Sequence, residues 1–233
     1  MCVIAIKQRN VKFPSYDRVK NMCDNNDDGF AIVYHVNGQP VKNYRTLNKD
    51  KFLDKYREIT SLYNDEDVAL FIHARIKTHG SEKLDNCHGW IDDSIGMSFA
   101  HNGILSIKNR DDLTDSETFF RDLFVPIFTI GGWDAGIKAI NSVIGTSKFV
   151  FMDFHGEIFH FGNYINGDDG ILYSNSTYSY SKNKWDKYGW YGNSYSSKSK
   201  TTPAYSQSYN SSYDSYDVWD NNTSWWDDGN APF

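Results

Sequence analysis

Apolar positions in the first three quarters of this chain follow two rhythms. Short runs rich in β-branched and aromatic residues, bounded by polar or glycine positions, predict strands over 2–7, 29–36, 68–74 and 95–102. Asn37-Gly38 between 29–36 and 41–44 is a strong hairpin signal, and His155-Gly156 marks a second hairpin joining 149–153 to 157–161. Elsewhere the apolar residues recur at helical spacing. Ser15 can cap a short helix with Val19 and Met22 on one face, ending before Gly29. Phe52, Leu53, Tyr56, Ile59 and Tyr63 mark a helix over 49–63, and two more are expected over 116–127 and 133–143, parted by Gly131-Gly132. The order runs strands, then helices, then strands. That is not the regular alternation of a doubly wound sheet, and two antiparallel sheets with helices outside them is the expected α+β architecture.

Composition changes abruptly near Asn175. Beyond Leu172 there is no Leu, Ile, Met or Cys, and Val218 is the lone branched aliphatic residue. From Asn175 on, nine of the sixteen tyrosines and five of the seven tryptophans stand among Ser, Asn, Asp and Lys, which cannot build an interdigitated aliphatic core. The expected division is therefore a folded domain over 1–176 and a low-complexity, disordered tail over 177–233. The tail's rival reading is an aromatic docking segment, since Tyr and Trp offer large contact area at low entropic cost.

The 233 residues carry a net charge of −6 with no basic stripe, so no nucleic-acid footprint is present. There is no signal-like segment and no run of 18 apolar residues, so no membrane partner is expected. Cys2, Cys23 and Cys87 are odd in number and form no C-x-x-C pair; this favours a reducing compartment and a cytoplasmic location. Asp24-Asn25-Asn26-Asp27-Asp28-Gly29 begins like a calcium loop, but position twelve is His35 rather than a bidentate Glu. No other ligand spacing and no phosphate-binding glycine motif appears, so neither metal nor cofactor is expected.

The chemistry begins at Cys2. Removal of Met1 would leave one residue bearing both a thiol and a free α-amine. With unperturbed pKa values of ~8.5 and ~7.8, the amine is about one-third neutral at pH 7.5 and can take the thiol proton. Behind it, in order, come Asp28-Gly29, then His73-Ala74-Arg75-Ile76-Lys77-Thr78-His79-Gly80, Asn86-Cys87-His88, His101-Asn102-Gly103 and Asp115-Ser116-Glu117. With Cys2, this series resembles the glutaminase domain of class II glutamine amidotransferases, which are N-terminal-nucleophile (Ntn) hydrolases, over 1–176.

The resemblance implies a four-layer αββα sandwich and a set of roles. Cys2 is the nucleophile, and Asn102 with the backbone N–H of Gly103 forms the oxyanion hole. Arg75 holds the α-carboxylate of L-glutamine, a task suited to a planar, always-charged fork. Asp115 takes the α-ammonium, while Thr78 and His79 also contact substrate. His101 is expected to be structural. Relatives often carry an aromatic where Ile76 stands and a proline where Gly89 stands, so Trp90 is expected to supply an aromatic to a substrate lid. The family usually passes ammonia to a synthase domain or subunit, which here implies a separate partner. Two alternatives stay open: an Ntn-type amide hydrolase with another substrate, and a silent binding protein that keeps the fold.

Overall fold

A computed structural model of the chain describes residues 1–76, 83–110 and 113–180. It contains β1 (Val3–Lys7), α1 (Tyr16–Asn25), β2 (Phe30–Val36), β3 (Lys42–Thr46), α2 (Lys49–Leu62), β4 (Val68–Ala74), β5 (Trp90–Asp92) and β6 (Met97–Asn102). There follow α3 (Asp115–Thr118), a π-helical stretch Phe119–Phe124, α4 (Val125–Val143), β7 (Lys148–Asp153), β8 (Ile158–Phe161), β9 (Ile165–Asn166) and β10 (Leu172–Tyr173). The strands form two sheets, in the orders β3-β2-β4-β1-β10-β9 and β5-β6-β7-β8, with antiparallel neighbours throughout.

Strand alternation builds three apolar layers. Val3 and Ala5 of β1 pack with Ile32 of β2 and Ile72 of β4 against Val19, Met22, Phe52 and Tyr56 of α1 and α2. The intervening positions Ile4, Ile6, Val33 and Phe71 meet Ala100, Val150 and Met152 of the other sheet. On that sheet's far side Phe99, Phe149 and Phe151 pack against Phe119, Phe120, Phe124 and Ile140. The result is the expected αββα sandwich. Because β1, β2 and β4 are buried on both faces, they read in the sequence as continuous apolar runs. Phe99 lies within 4.8–5.7 Å, centroid to centroid, of four other phenylalanine rings. Cutting such a residue to Ala costs ~3–5 kcal/mol.

Local signals account for most of the boundaries. Ser15 and Asn48 accept hydrogen bonds from Arg18 N and Lys51 N and cap α1 and α2. The helix expected over 116–127 instead starts at Asp115 and passes through the π-helical stretch, with Phe119, Phe120 and Phe124 all inside. It continues to a break at Gly132, whose φ of 58° and ψ of −153° suit glycine. By length and composition Asp115–Val143 could cross a membrane, yet it is kinked there and plants its phenylalanines on the second sheet.

The strand expected from 95 begins at Met97, and β5, β9 and β10 were not anticipated. The described chain also runs past the expected boundary at 176. Tyr178 stacks on Tyr173 at 3.6 Å, and Asn25 of α1 donates to the carbonyls of Thr177 at 2.7 Å and Tyr180 at 2.5 Å. Residues 181–233 of the tail lie outside the described residues.

Candidate active site

The alternation that fills the inter-sheet layer delivers polar residues to one end of it. Cys2 continues the face of Ile4 and Ile6, Arg75 that of Phe71 and His73, and Asn102 that of Ser98 and Ala100. The register Val3↔Ala74, carried one pair further, sets Cys2 opposite Arg75. A cavity of about 280 Å3 opens there, lined among others by Cys2, Arg75, His101, Gly103, Asp115 and Ser116. A shallower depression of about 410 Å3 adjoins it across Ile107 and Asn109 and carries none of the expected site residues.

The Cys2 thiol is partly exposed and lies 3.7 Å from the Ile76 carbonyl. Burial pushes its pKa up, so the neutral thiol prevails near pH 7 and attack requires a base. Arg75 is fastened by its main chain: its N–H donates to Gly29 O at 2.8 Å and its carbonyl accepts from Asp28 N at 3.0 Å. This explains the early Asp28-Gly29 element. Gly29 has a φ of 145°, and a Cβ there would meet Cys87 Sγ at 2.5 Å. The Arg75 side chain is buried, and its Nη1 has no partner among the described residues. A buried guanidinium beside a cavity is matched to an anionic ligand.

Gly103 follows β6 with a φ of 151°, its Cα so close to Ser147 that an added Cβ would sit 2.1 Å from Ser147 Oγ. Asp115 occupies the first turn of α3 and Thr114 is the cap. The Asp115 carboxylate accepts Leu105 N at 2.7 Å on Oδ2 and Ser116 N at 2.8 Å on Oδ1, which fixes the loop after Gly103 and leaves lone pairs for a cation. Asn102 is buried, its Nδ2 lies 2.7 Å from Ser174 Oγ, and its Oδ1 has no partner among the described residues. Cys2, Arg75, Gly103 and Asp115 thus line one cavity, with Asn102 adjoining it in the chain. Thr78 and His79 lie outside the described residues.

Three histidines are stacked beside the cavity. His73 and His88 lie 4.3 Å apart at 14°, and His88 and His101 lie 6.2 Å apart at 8°. Burial holds His73 and His88 far below the usual imidazole range and pushes His101 down to about 3. All three are neutral at physiological pH. His101 Nδ1 is 2.7 Å from Ser116 Oγ, and Ser116 Oγ is 3.2 Å from Asp115 Oδ1, so the imidazole braces the carboxylate. Among the described residues no group of three or more His, Cys, Asp or Glu side chains is placed to hold a metal. In the acidic turn, Asp24 is engaged by Lys20 and Lys49.

Trp90 corrects an expectation. It is 3% exposed on β5, stacks on His88 at 4.7 Å and donates its indole N–H to Asp85 O at 3.0 Å. It is a wall of the core rather than a lid aromatic. Two residues near the site escaped sequence reasoning altogether. Ser174 Oγ accepts Ile4 N at 2.8 Å, and Asn175 Nδ2 donates to Cys2 O at 2.6 Å. Both belong to a Ser- and Asn-rich run that offers no local signal for such a role.

No family model matches the chain. A curated protein of Haemophilus influenzae, described as a "Putative glutamine amidotransferase", is 30% identical over 105 residues, 44% of this chain and 34% of that protein. Among solved structures, the glutamine phosphoribosylpyrophosphate amidotransferase from B. subtilis, complexed with ADP and GMP, superimposes with a TM-score of 0.51 at 16% identity. That match covers 75% of this chain and 42% of the other. A structure described as the allosteric regulatory enzyme of purine biosynthesis gives 0.51 at 16%, over 74% of this chain and 41% of that one. The matched region spans about a third of the curated relative and about two fifths of the structural ones. The structural likenesses show a shared fold.

Proposed function

We propose that this domain hydrolyses the side-chain amide of L-glutamine to glutamate and ammonia through a thioester on Cys2, and that the ammonia passes to a separate partner enzyme. One observation carries the reading. A single cavity is lined by a thiol (Cys2), a buried guanidinium (Arg75), a carboxylate (Asp115) and the main chain of Gly103. At about 280 Å3 it falls just below the ~300–1,000 Å3 of drug-sized clefts, which suits an amino acid.

Arg75 and Asp115 hold the α-carboxylate and α-ammonium, so the side-chain amide is presented to Cys2. The α-amine of Cys2, freed by removal of Met1, takes the thiol proton as sulfur attacks the amide carbon. Asn102 Nδ2 and the Gly103 N–H stabilise the oxyanion, each such donor contributing ~2.7–4 kcal/mol. The amine then returns the proton to the leaving nitrogen, the C–N bond breaks, and ammonia departs. Water resolves the thioester to glutamate and restores the thiol. Thr78 and His79 are assigned to the substrate by the resemblance. The resemblance also supports the partner, since that family usually delivers ammonia to a synthase. Cys2, Cys23 and Cys87 are all unpaired, in keeping with a reducing, cytoplasmic setting.

The test is glutamate release from L-glutamine by wild type and Cys2→Ala, on protein whose intact mass shows Met1 removed. Release by the wild type alone is expected. An inactive wild type with a free Cys2 would overturn the stand-alone glutaminase.

A further inference from the structure

The geometry points to Ser174 as a positioning residue that sets the oxyanion amide. The inference rests on the reading of Asn102 as an oxyanion donor.

Ser174 follows β10 on the inter-sheet face and is 3% exposed. Its Oγ accepts the Ile4 N–H at 2.8 Å, and its own N–H donates to Ile4 O at 2.9 Å. The same oxygen lies 2.7 Å from the Asn102 amide. One hydroxyl therefore joins β1, which follows the nucleophile, to the end of β6, which carries the oxyanion amide.

Hydrogen-bond accounting then fixes the direction of the amide. With Nδ2 toward Ser174, and among the described residues, the hydroxyl oxygen accepts two bonds and donates none, while the buried Asn102 Oδ1 accepts nothing. Half a turn about χ2 exchanges the two ends of a nearly symmetric amide and removes both deficits. The Ser174 hydroxyl then donates to Oδ1, and both Nδ2 hydrogens are left for the oxyanion. In the reacting enzyme Ser174 thus holds Oδ1 and turns the donor end toward substrate. Ser174 touches no reacting atom; it acts through Asn102.

The experiment is steady-state glutamine hydrolysis by wild type, Ser174→Ala, Ser174→Cys, Asn102→Ala and the Ser174→Ala/Asn102→Ala double variant, each shown to be folded by thermal unfolding. Ser174→Ala should lower kcat by ~10- to 100-fold with KM within about twofold, since the lost interaction is made in the transition state. Ser174→Cys keeps the volume but weakens the donor, and it serves if the alanine variant does not fold; it should show the same split. In the Asn102→Ala background the Ser174 change should add less than about twofold. Full kcat in Ser174→Ala, or the same fold-loss with and without Asn102, would overturn the inference. On the same samples, the side-chain carbonyl 13C resonance of Asn102 should move upfield from wild type to Ser174→Ala as Oδ1 loses its donor, and an unchanged shift would likewise overturn it. Because this shift requires no turnover, an inactive wild type refutes the glutamine reading while the carbonyl resonance still decides the contact.

Discussion

Replacing Gly103 by alanine should damage stability and turnover together, and the structure sets the size of both effects. At a φ of 151° an L residue is strained, at ~1–3 kcal/mol for such sparsely populated backbone. The new Cβ would also lie 2.1 Å from Ser147 Oγ, 2.7 Å from its Cβ and 2.9 Å from its Cα. Overpacking of this kind adds ~1–3 kcal/mol. The two terms together give about 4 kcal/mol, or a Tm lowered by ~8–16 °C for a domain of this size. Relief of the overlap must move the Gly103 peptide, and a ~1 Å displacement at a reacting centre costs ~100-fold in rate. Denaturant unfolding and glutamine hydrolysis measure the two effects. A Gly103→Ala/Ser147→Gly double variant separates them, because it removes the Oγ and Cβ overlaps but leaves the strained φ. It should recover part of the stability, less ~0.5–1 kcal/mol for the new glycine. A Gly103→Ala protein within 0.5 kcal/mol of wild type, with unchanged kcat, would refute the reasoning.

Arg75→Lys exchanges a planar fork for a point charge, so KM for glutamine should rise ~10- to 100-fold with a smaller change in kcat; a KM within twofold of wild type in steady-state kinetics would contradict the carboxylate assignment. His101 gives a pH prediction. Its folded pKa, about 3, lies below the ~6.5 of the unfolded chain, so between these values the unfolded state binds a proton that the folded state refuses. Stability is therefore lost as pH falls through that window, by about 3 kcal/mol at pH 4 from this group. His101→Gln should flatten the urea-unfolding profile from pH 6.5 to 4, and parallel profiles would show that burial of this imidazole does not drive acid sensitivity. Ending the chain after Tyr180 should leave Tm unchanged. Ending it after Asn175 removes the Tyr178–Tyr173 stack and two acceptors of Asn25, and should cost ~2–4 kcal/mol in a thermal melt.

The main elements were legible because they are internally consistent. A strand buried on both faces is apolar along most of its length, and 68–74, interrupted only by His73, coincides with β4 for that reason. The side-chain cap at Ser15 left its mark at the start of one helix, and Gly132 left its mark at a break. The cavity was legible in parts through motif order, since alternation along β1, β4 and β6 turns an ordered list of residues into one end of one layer. What escaped was tertiary in origin. Strands β9 and β10 are two residues each, too short for any periodicity, and they exist by pairing onto β1. Trp90 has the composition of a lid aromatic, but stacking on His88 commits it to the core. Ser174 and Asn175 open a run of Ser, Asn and Tyr that reads as solvated tail, yet their side chains meet Ile4, Asn102 and Cys2 across more than 70 residues of chain. Low-complexity sequence thus begins inside the folded layer, and the polar composition that hides these two residues is also what lets them hydrogen-bond Cys2 and the strand that follows it.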